Sequence, residues 1–403
     1  MRNTIRLALV FGAVLLIVAG ITIKLRRTST ANTSKENRLV VHEWGTFTSI
    51  AGKDGVALEW RPLNGSSDLP KFVHSMQDGR GFRHGAKADL TTQVRMETPV
   101  VYFYANQEMN ISAAVSFPKG KITEWYPHAR SVRAGINWGN LKIAPGAAYN
   151  LPADNSNNHY YAARETDAAP VQVCGTNGQP VEQEKFLFYR GVGSFDLPLS
   201  VKLANDRLDL VNRSKEEISR LIIFENRNGR VGYSVIDHFS GETAIERSQL
   251  DKDLEAVIRD LRQVLVSSGL YDKEADAMIK TWRNSWFEEG MRVFYILPRG
   301  ITDSTLPLQI DPQPAELVRV LVGRTEIITP EMEKAVKRQV SMLNDASPKV
   351  REQARVAIQK LGRFYDPILK RILEEERDET VRSRIRRLLE APQAAEGTIS
   401  QWK

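Results

Sequence analysis

Residues 40–50, VVHEWGTFTSI, open the globular part of the chain and have the β-branched and aromatic composition of a strand. Side chains alternate between the two faces of a strand, so Glu43 would share one face with Phe47, and His42 would share the other with Trp44. We therefore expect a first strand that turns one face toward the core and the other toward a site.

Short strand-like runs separated by turn residues follow this stretch. Residues 100–104 and 109–117 form a predicted hairpin, and residues 221–226 and 231–237 form another across an Asn-Gly turn. Such punctuation is typical of antiparallel sandwiches. The sequence predicts an α+β protein with an antiparallel β-sandwich-like body over residues 39–246.

Helical patterns enter after this body. Residues 251–270 and 273–289 carry apolar residues at helical spacing, with strands expected beyond them. We predict a mixed α/β extension over residues 247–328 that packs on the body. Inside the body, residues 214–220, SKEEISR, are expected to form a short helix, because Ser214 and Glu217 fit a capping box.

Residues 329–391 are predicted to form a short helical array that begins with Thr329 as N-cap and Pro330 at the first position. The segments 347–362 and 378–390 each place a Val-Arg pair early in a helix, a pattern that resembles HEAT repeats. The resemblance implies a packing module or protein-binding surface that docks on the body. Residues 392–403 form a tail.

Residues 1–27 at the N-terminus have the pattern of a membrane-targeting segment. Residues 7–23 are apolar and uncharged, and a helix of that length just spans a bilayer core. An uncleaved transmembrane anchor and a cleaved signal both fit, since Arg2 and Arg6 precede the apolar run. With residues 28–38 as a polar linker, we expect a single-pass protein of the inner or cytoplasmic membrane whose body is periplasmic or extracellular.

The formal charge of +7 lies mostly beside the apolar N-terminal run and in the C-terminal helices. The body between them is near neutral, which argues against a nucleic-acid partner. Cys174 is the only cysteine of the sequence, so an intrachain disulfide and a cysteine-based zinc site are both excluded.

Several motifs resemble a family of uncharacterised bacterial exported proteins. They include VHEWGTFTS at residues 41–49, METPVVYFY at residues 96–104 and FLFYRGVG at residues 186–193. The resemblance covers most of residues 39–330. It implies a location in the cell envelope and carries no activity that can be transferred to this chain.

The candidate catalytic residues are His42 and Glu43, with Glu165 and Asp167 as further carboxylates. Histidine and carboxylate side chains serve together as general acids and bases and as metal ligands in many sites. Neighbouring strand residues point to opposite faces, however, so His42 and Glu43 would not converge on one ion. We predict no metal and no cofactor, and the alternative role for His42 is a structural one beside buried Trp44.

The candidate ligand-binding residues are Arg164, Tyr161, Arg190 and Trp125. Arginine recognises carboxylates and phosphates with two parallel hydrogen bonds, and an aromatic ring offers a stacking face. The alternative is a buried ion-pair network that ties strands together.

These observations favour a membrane-anchored extracytoplasmic binding or scaffold protein that engages a protein or glycan partner. The alternative is an extracytoplasmic hydrolase that uses His42 with carboxylates of the β-rich body. The two differ in geometry. Convergence of the candidate side chains on one open pocket would favour the enzyme, whereas dispersed or sealed side chains would favour binding.

Overall fold

The computed structural model describes residues 38–63, 68–76, 90–154, 156–175 and 178–390. The predicted membrane segment 1–27, nearly all of the linker 28–38 and the tail 392–403 lie outside these ranges. Within them, no helix combines the length and the apolar character needed to cross a membrane.

The described part of the chain is a mixture of strands and helices in which strands predominate, which confirms the α+β prediction at that level. The strands, in chain order, are β1 Val40–Ala51, β2 His74–Ser75, β3 Val94–Tyr104, β4 Met109–Ser116, β5 Gly120–Tyr126, β6 Ser131–Val132, β7 Gly135–Ile143, β8 Val171–Cys174, β9 Pro180–Glu184, β10 Leu187–Gly193, β11 Leu199–Ala204, β12 Arg207–Asn212, β13 Ile218–Arg227, β14 Arg230–Phe239, β15 Glu242–Glu246, β16 Gly290–Ile296, β17 Leu308–Asp311 and β18 Glu316–Ile327. The α-helices are α1 Leu254–Ser267, α2 Asp272–Trp286, α3 Arg299–Thr305, α4 Pro330–Met342, α5 Pro348–Gln359, α6 Tyr365–Glu375 and α7 Glu379–Glu390, with 3-10 helices at His159–Arg164 and Gly362–Phe364.

The main sheet has the order β14-β13-β16-β18-β1-β3-β10-β5-β2, with β1 near its middle. β1 pairs antiparallel with β3 but parallel with β18, a departure from the predicted antiparallel pattern. A parallel partner requires a long crossover, and here most of the body intervenes between the two strands. The predicted boundary at residue 246 falls inside this sheet, because β16 and β18 belong to it.

The two faces of the main sheet bury two separate cores. Val41 and Phe47 of β1 pack in a core shared with β4, β7, β11 and β12, which belong to two smaller sheets. Trp44 lies in the opposite core, which also contains Val257 of α1 and Met278 of α2. The alternation predicted for residues 40–50 is thus confirmed, and it sets which side chains can meet α2.

Of two predictions made from short sequence motifs, the Asn-Gly hairpin turn is confirmed and the short helix inside the body is wrong. Asn228 and Gly229 take positive φ values of 53° and 75°, as expected between the hairpin strands β13 and β14. The predicted helix at residues 214–220 is wrong. Ile218 begins β13 and is fully buried, while the Ser214 hydroxyl contacts Asn212. Pairing with β14 and burial of Ile218 outweigh the local capping signal.

Helices α4–α7 share their own core, which includes Val336, Ile358 and Ile385. Thr329 caps α4 by accepting a hydrogen bond from a backbone N–H, as predicted. The array docks on the body through ion pairs. In the most buried of these, Arg61 Nη2 lies 2.7 Å from Asp366 Oδ1 of α6.

Candidate functional site

His42 is fully buried and faces α2. Its Nδ1 atom lies 2.8 Å from Oε2 of Glu274. Glu274 is the third residue of α2, and its Oε2 atom also accepts a hydrogen bond of 2.8 Å from the Tyr271 backbone N–H. The carboxylate therefore caps the helix and holds His42 at the same time.

Tyr104, at the end of β3, completes this arrangement. Its hydroxyl donates to Glu274 Oε1 at 2.8 Å, and its ring contacts that of His42 edge-on at 5.5 Å between centroids. Burial raises the pKa of Tyr104, and the charge of Glu274 raises it further, so the phenol keeps its proton and acts as a donor. The Nε2 atom of His42 has no hydrogen-bond partner among the described residues.

Glu43 points to the opposite side of the sheet from His42. It accepts hydrogen bonds of 2.5 Å from the Tyr189 hydroxyl and from Nε of Arg319, which in turn contacts Asp303. Glu43 is fully buried in this network. The two neighbours therefore do not form one site.

Glu165 and Asp167 lie on the surface. Glu165 contacts Lys280 at 2.5 Å and Asp167 contacts Lys273 at 2.6 Å, and both lysines belong to α2. Exposed pairs of this kind are worth about 0–1 kcal/mol each. They tie the segment after the 3-10 helix to α2.

Arg164 and Tyr161 belong to a compact polar cluster. Arg164 makes three hydrogen bonds to Glu184, at 3.0, 3.1 and 2.6 Å, and stacks over Tyr161 at 4.9 Å. The Tyr161 hydroxyl donates to Asp154 at 2.9 Å. Arg164 is therefore held in an ion pair with Glu184.

Arg190 and Trp125 lie on the paired strands β10 and β5 of the main sheet. Arg190 is buried and grips Asp68 with two hydrogen bonds, at 2.6 and 3.0 Å. Burial raises the pKa of Asp68, but the charges of Arg190 and Arg95 and the hydrogen bonds from Arg190 together outweigh it, so the pKa is lowered. Trp125 stacks on His74 at 6.2 Å. The predicted ligand-binding residues are therefore distributed over separate contacts.

An open cavity of about 360 Å³ lies beside Tyr104, and we call it the tyrosine pocket. Its lining residues are Tyr104, Ala105, Pro145, Gly146, Ala147, Tyr149, Thr166, Asp167, Ala168, Ala169, Pro170 and Lys185. Of the predicted site residues, Asp167 lines this cavity. The other lining side chains were not predicted from the sequence.

Two polar side chains of the tyrosine pocket, Lys185 and Thr166, differ in whether they have a partner. Lys185 Nζ donates to the Thr166 carbonyl at 2.6 Å and lies 5.8 Å above the Tyr149 ring. Thr166 is 5% exposed, and its hydroxyl has no partner among the described residues. Tyr149 is 45% exposed.

Backbone pairing brings the walls of the tyrosine pocket together. The Ala169 N–H donates to the Phe103 carbonyl at 2.9 Å, and the Ala144 N–H donates to the Pro170 carbonyl at 3.0 Å. The pocket thus joins the end of β3, the loop after β7 and the segment before β8. Tyr104 links its wall to Glu274 and His42.

A larger cavity of about 430 Å³ lies between the turn after β13 and helices α4 and α5. Its charged groups include Arg247, which lies 2.7 Å from Glu225 and 2.9 Å from Glu331. These pairs fasten α4 to the body. We interpret this cavity as a packing crevice at the junction.

No family model matches this chain, and no curated protein matches it. Among solved structures, one match is the μ-homology domain of yeast delta-COP-I in complex with a Dsl1 WxWxV peptide. The match has 9% sequence identity and a TM-score of 0.28, and it covers 72% of this chain and 98% of that chain. At this TM-score the match does not establish a shared fold.

Proposed function

We propose that this chain is a membrane-anchored extracytoplasmic binding protein whose tyrosine pocket holds a short glycan. The observation that supports this most directly is the Thr166 hydroxyl, which is buried at the pocket wall without a hydrogen-bond partner among the described residues. A buried hydroxyl without a partner costs about 1–3 kcal/mol, and a ligand that bonds it recovers that cost.

The chemistry of the walls favours a hydroxyl-rich ligand. Tyr149 is exposed and has an aromatic ring on which the apolar side of a sugar ring can stack. Thr166 can both donate and accept, and Lys185 has donors beyond the one used on the Thr166 carbonyl. A few fixed polar groups beside apolar and aromatic surface are typical of small-ligand sites.

The other candidate side chains support binding rather than catalysis. Glu43 is sealed in the core, Glu165 and Asp167 are in exposed ion pairs, and Arg164 is held by Glu184. These side chains do not converge on one open pocket. In this proposal the sandwich-like body carries the ligand site, and the HEAT-like helices α4–α7 form a second surface for a protein partner.

Glycan binding by the purified full chain in detergent micelles tests the proposal. We expect a glycan array to identify a ligand, and Thr166→Val to weaken its binding about tenfold, because one buried hydrogen bond is lost. Thr302→Val is the matched control, since Thr302 is also buried with no hydroxyl partner among the described residues but belongs to α3. Equal loss in both variants, or an array without a ligand, would refute the assignment.

A hydrolase that uses His42 is the second candidate. It is favoured by the pairing of His42 Nδ1 with Glu274, which leaves Nε2 without a partner among the described residues, as a general base requires. Tyr104 connects the same carboxylate to the pocket wall. If this reading is correct, the glycan found on the array is cleaved slowly by the wild type, and His42→Gln abolishes cleavage while binding persists.

A further inference from the structure

The C-terminal helices carry a groove that the tyrosine pocket does not involve. It has a volume of about 310 Å³, and its walls come from α5, α7 and the residue that follows α4. Its lining residues are Leu343, Pro348, Arg351, Glu352, Arg355, Arg384, Arg387 and Leu388. Four arginines and one glutamate make this groove strongly cationic, and we call it the arginine groove.

The floor of the arginine groove is apolar. Leu343 and Leu388 are both 4% exposed and belong to the core shared by α4–α7. The groove is therefore a recess between packed helices rather than a row of basic residues on one helix face. A ligand that fills it meets apolar surface below and guanidinium groups at the sides.

The guanidinium groups of Arg351, Arg355 and Arg384 differ in whether their N–H donors have hydrogen-bond acceptors within the protein. Arg351 donates to the carbonyls of Asp345 and Ala346 at 2.8 and 2.9 Å. Arg355 is paired with Glu352, the single acidic residue of the lining. The Nη1 atom of Arg384 is buried and has no hydrogen-bond partner among the described residues. A buried N–H donor of a charged group that has no acceptor is energetically costly, and an anionic ligand that accepts its hydrogen bond would remove that cost.

We infer that the arginine groove binds an acidic peptide segment of a partner protein, with carboxylates on Arg384 and Arg387 and an apolar side chain on Leu343 and Leu388. Bidentate hydrogen bonding matches a guanidinium to a carboxylate. The recess favours an extended peptide over a bilayer surface, because a flat lipid surface cannot deliver a headgroup to the buried Nη1 atom and fill the apolar floor at once. This inference is independent of ligand binding in the tyrosine pocket.

Fluorescence anisotropy with the full chain in micelles tests the inference. The probe is a short labelled peptide in which Asp alternates with Leu, and the comparison peptides replace Asp by Asn or by Lys. We expect only the Asp peptide to bind, and its affinity to fall as salt is raised. Arg384→Gln and Arg387→Gln should each weaken binding about tenfold, because each removes charge-assisted hydrogen bonds.

Arg386→Gln is the matched control, since Arg386 lies on the same helix, is exposed and pairs with Glu379 outside the groove. Circular dichroism of each variant checks that α4–α7 remain folded. Equal binding of the Asp and Asn peptides, or equal loss in Arg386→Gln and Arg384→Gln, would overturn the inference. So would flotation with phosphatidylserine vesicles that depends on Arg384 as strongly as peptide binding does, because the groove would then recognise a headgroup.

Discussion

Replacement of Glu274 by alanine should destabilise the body more than any exposed change on α2. The carboxylate accepts three hydrogen bonds, from His42 Nδ1, the Tyr104 hydroxyl and the Tyr271 backbone N–H, each at 2.8 Å. Loss of the helix cap costs about 1 kcal/mol. Each buried polar partner left unsatisfied costs about 1–3 kcal/mol, less for Tyr104 because it is only half-buried.

Together these losses predict a decrease of about 3–5 kcal/mol in the free energy of unfolding for Glu274→Ala. Glu274→Gln keeps one acceptor oxygen and the same shape, so we expect about half of that decrease. Urea denaturation followed by tryptophan fluorescence measures the change, and hydrogen exchange at residues 271–275 shows whether the start of α2 loosens first.

Glu255→Ala provides the matched control, because Glu255 also lies in the first turn of a helix but forms an exposed ion pair with Arg283. That variant should lose about 1 kcal/mol or less. If Glu274→Ala unfolds at the same urea concentration as Glu255→Ala, then the contacts of Glu274 do not stabilise the fold and the reasoning is refuted.

Three further predictions concern the junction and the sheet. Asp366→Ala should cost about 3–5 kcal/mol in docking of α4–α7, because it leaves a guanidinium partner uncompensated; limited proteolysis of the helices reports it. Burial raises the pKa of Glu331, but hydrogen bonds from Arg247 lower it to about 2. The ionised carboxylate therefore stabilises the fold above its ordinary pKa of about 4.5, and this contribution is lost as the pH falls toward 2. Hydrogen exchange in α4 should rise over that pH range, and it should rise less in Glu331→Gln. Gly323→Ala places a Cβ atom 2.1 Å from the Tyr295 ring, so overpacking should cost about 1–3 kcal/mol in urea unfolding.

Each of these has a clear contrary result. Helices that resist protease in Asp366→Ala would show that the buried pair does not hold them. Acid-induced exchange that is the same in Glu331→Gln and the wild type would assign it to other carboxylates. A Gly323→Ala variant as stable as the wild type would show that the tyrosine ring can move aside at no cost.

Features encoded by neighbouring residues could be predicted from the sequence. The alternation that separates Phe47 from Trp44, the Asn228-Gly229 turn and the Thr329 cap all depend on a few adjacent positions. The partner of His42 could not be found in this way. Glu274 lies 232 positions away, and no pattern of neighbouring residues connects it with His42.

The tyrosine pocket was missed for a related reason. Its polar groups include those of Tyr149, Thr166 and Lys185, which lie in separate loops and become neighbours only when β3 and the segment before β8 pair. The short helix expected at residues 214–220 failed in the opposite sense, because a valid local signal was overruled by the sheet. In both cases long-range pairing carries information that local patterns lack.

The parallel pairing of β1 with β18 also constrains when this protein can fold. β1 is the first of the described strands to be synthesised, yet one of its edges has no partner until Glu316–Ile327 has been made. Until then Glu43 also lacks Arg319, so a charged residue destined for the core has to stay hydrated. A chain that stops before β18 leaves the β18-facing edge of β1 unpaired, and the side chains of β1 that are buried in the complete protein are then exposed. Such an edge is a template for aggregation. Completion of the main sheet is therefore coupled to synthesis of β18, and helices α4–α7 are made only after that strand.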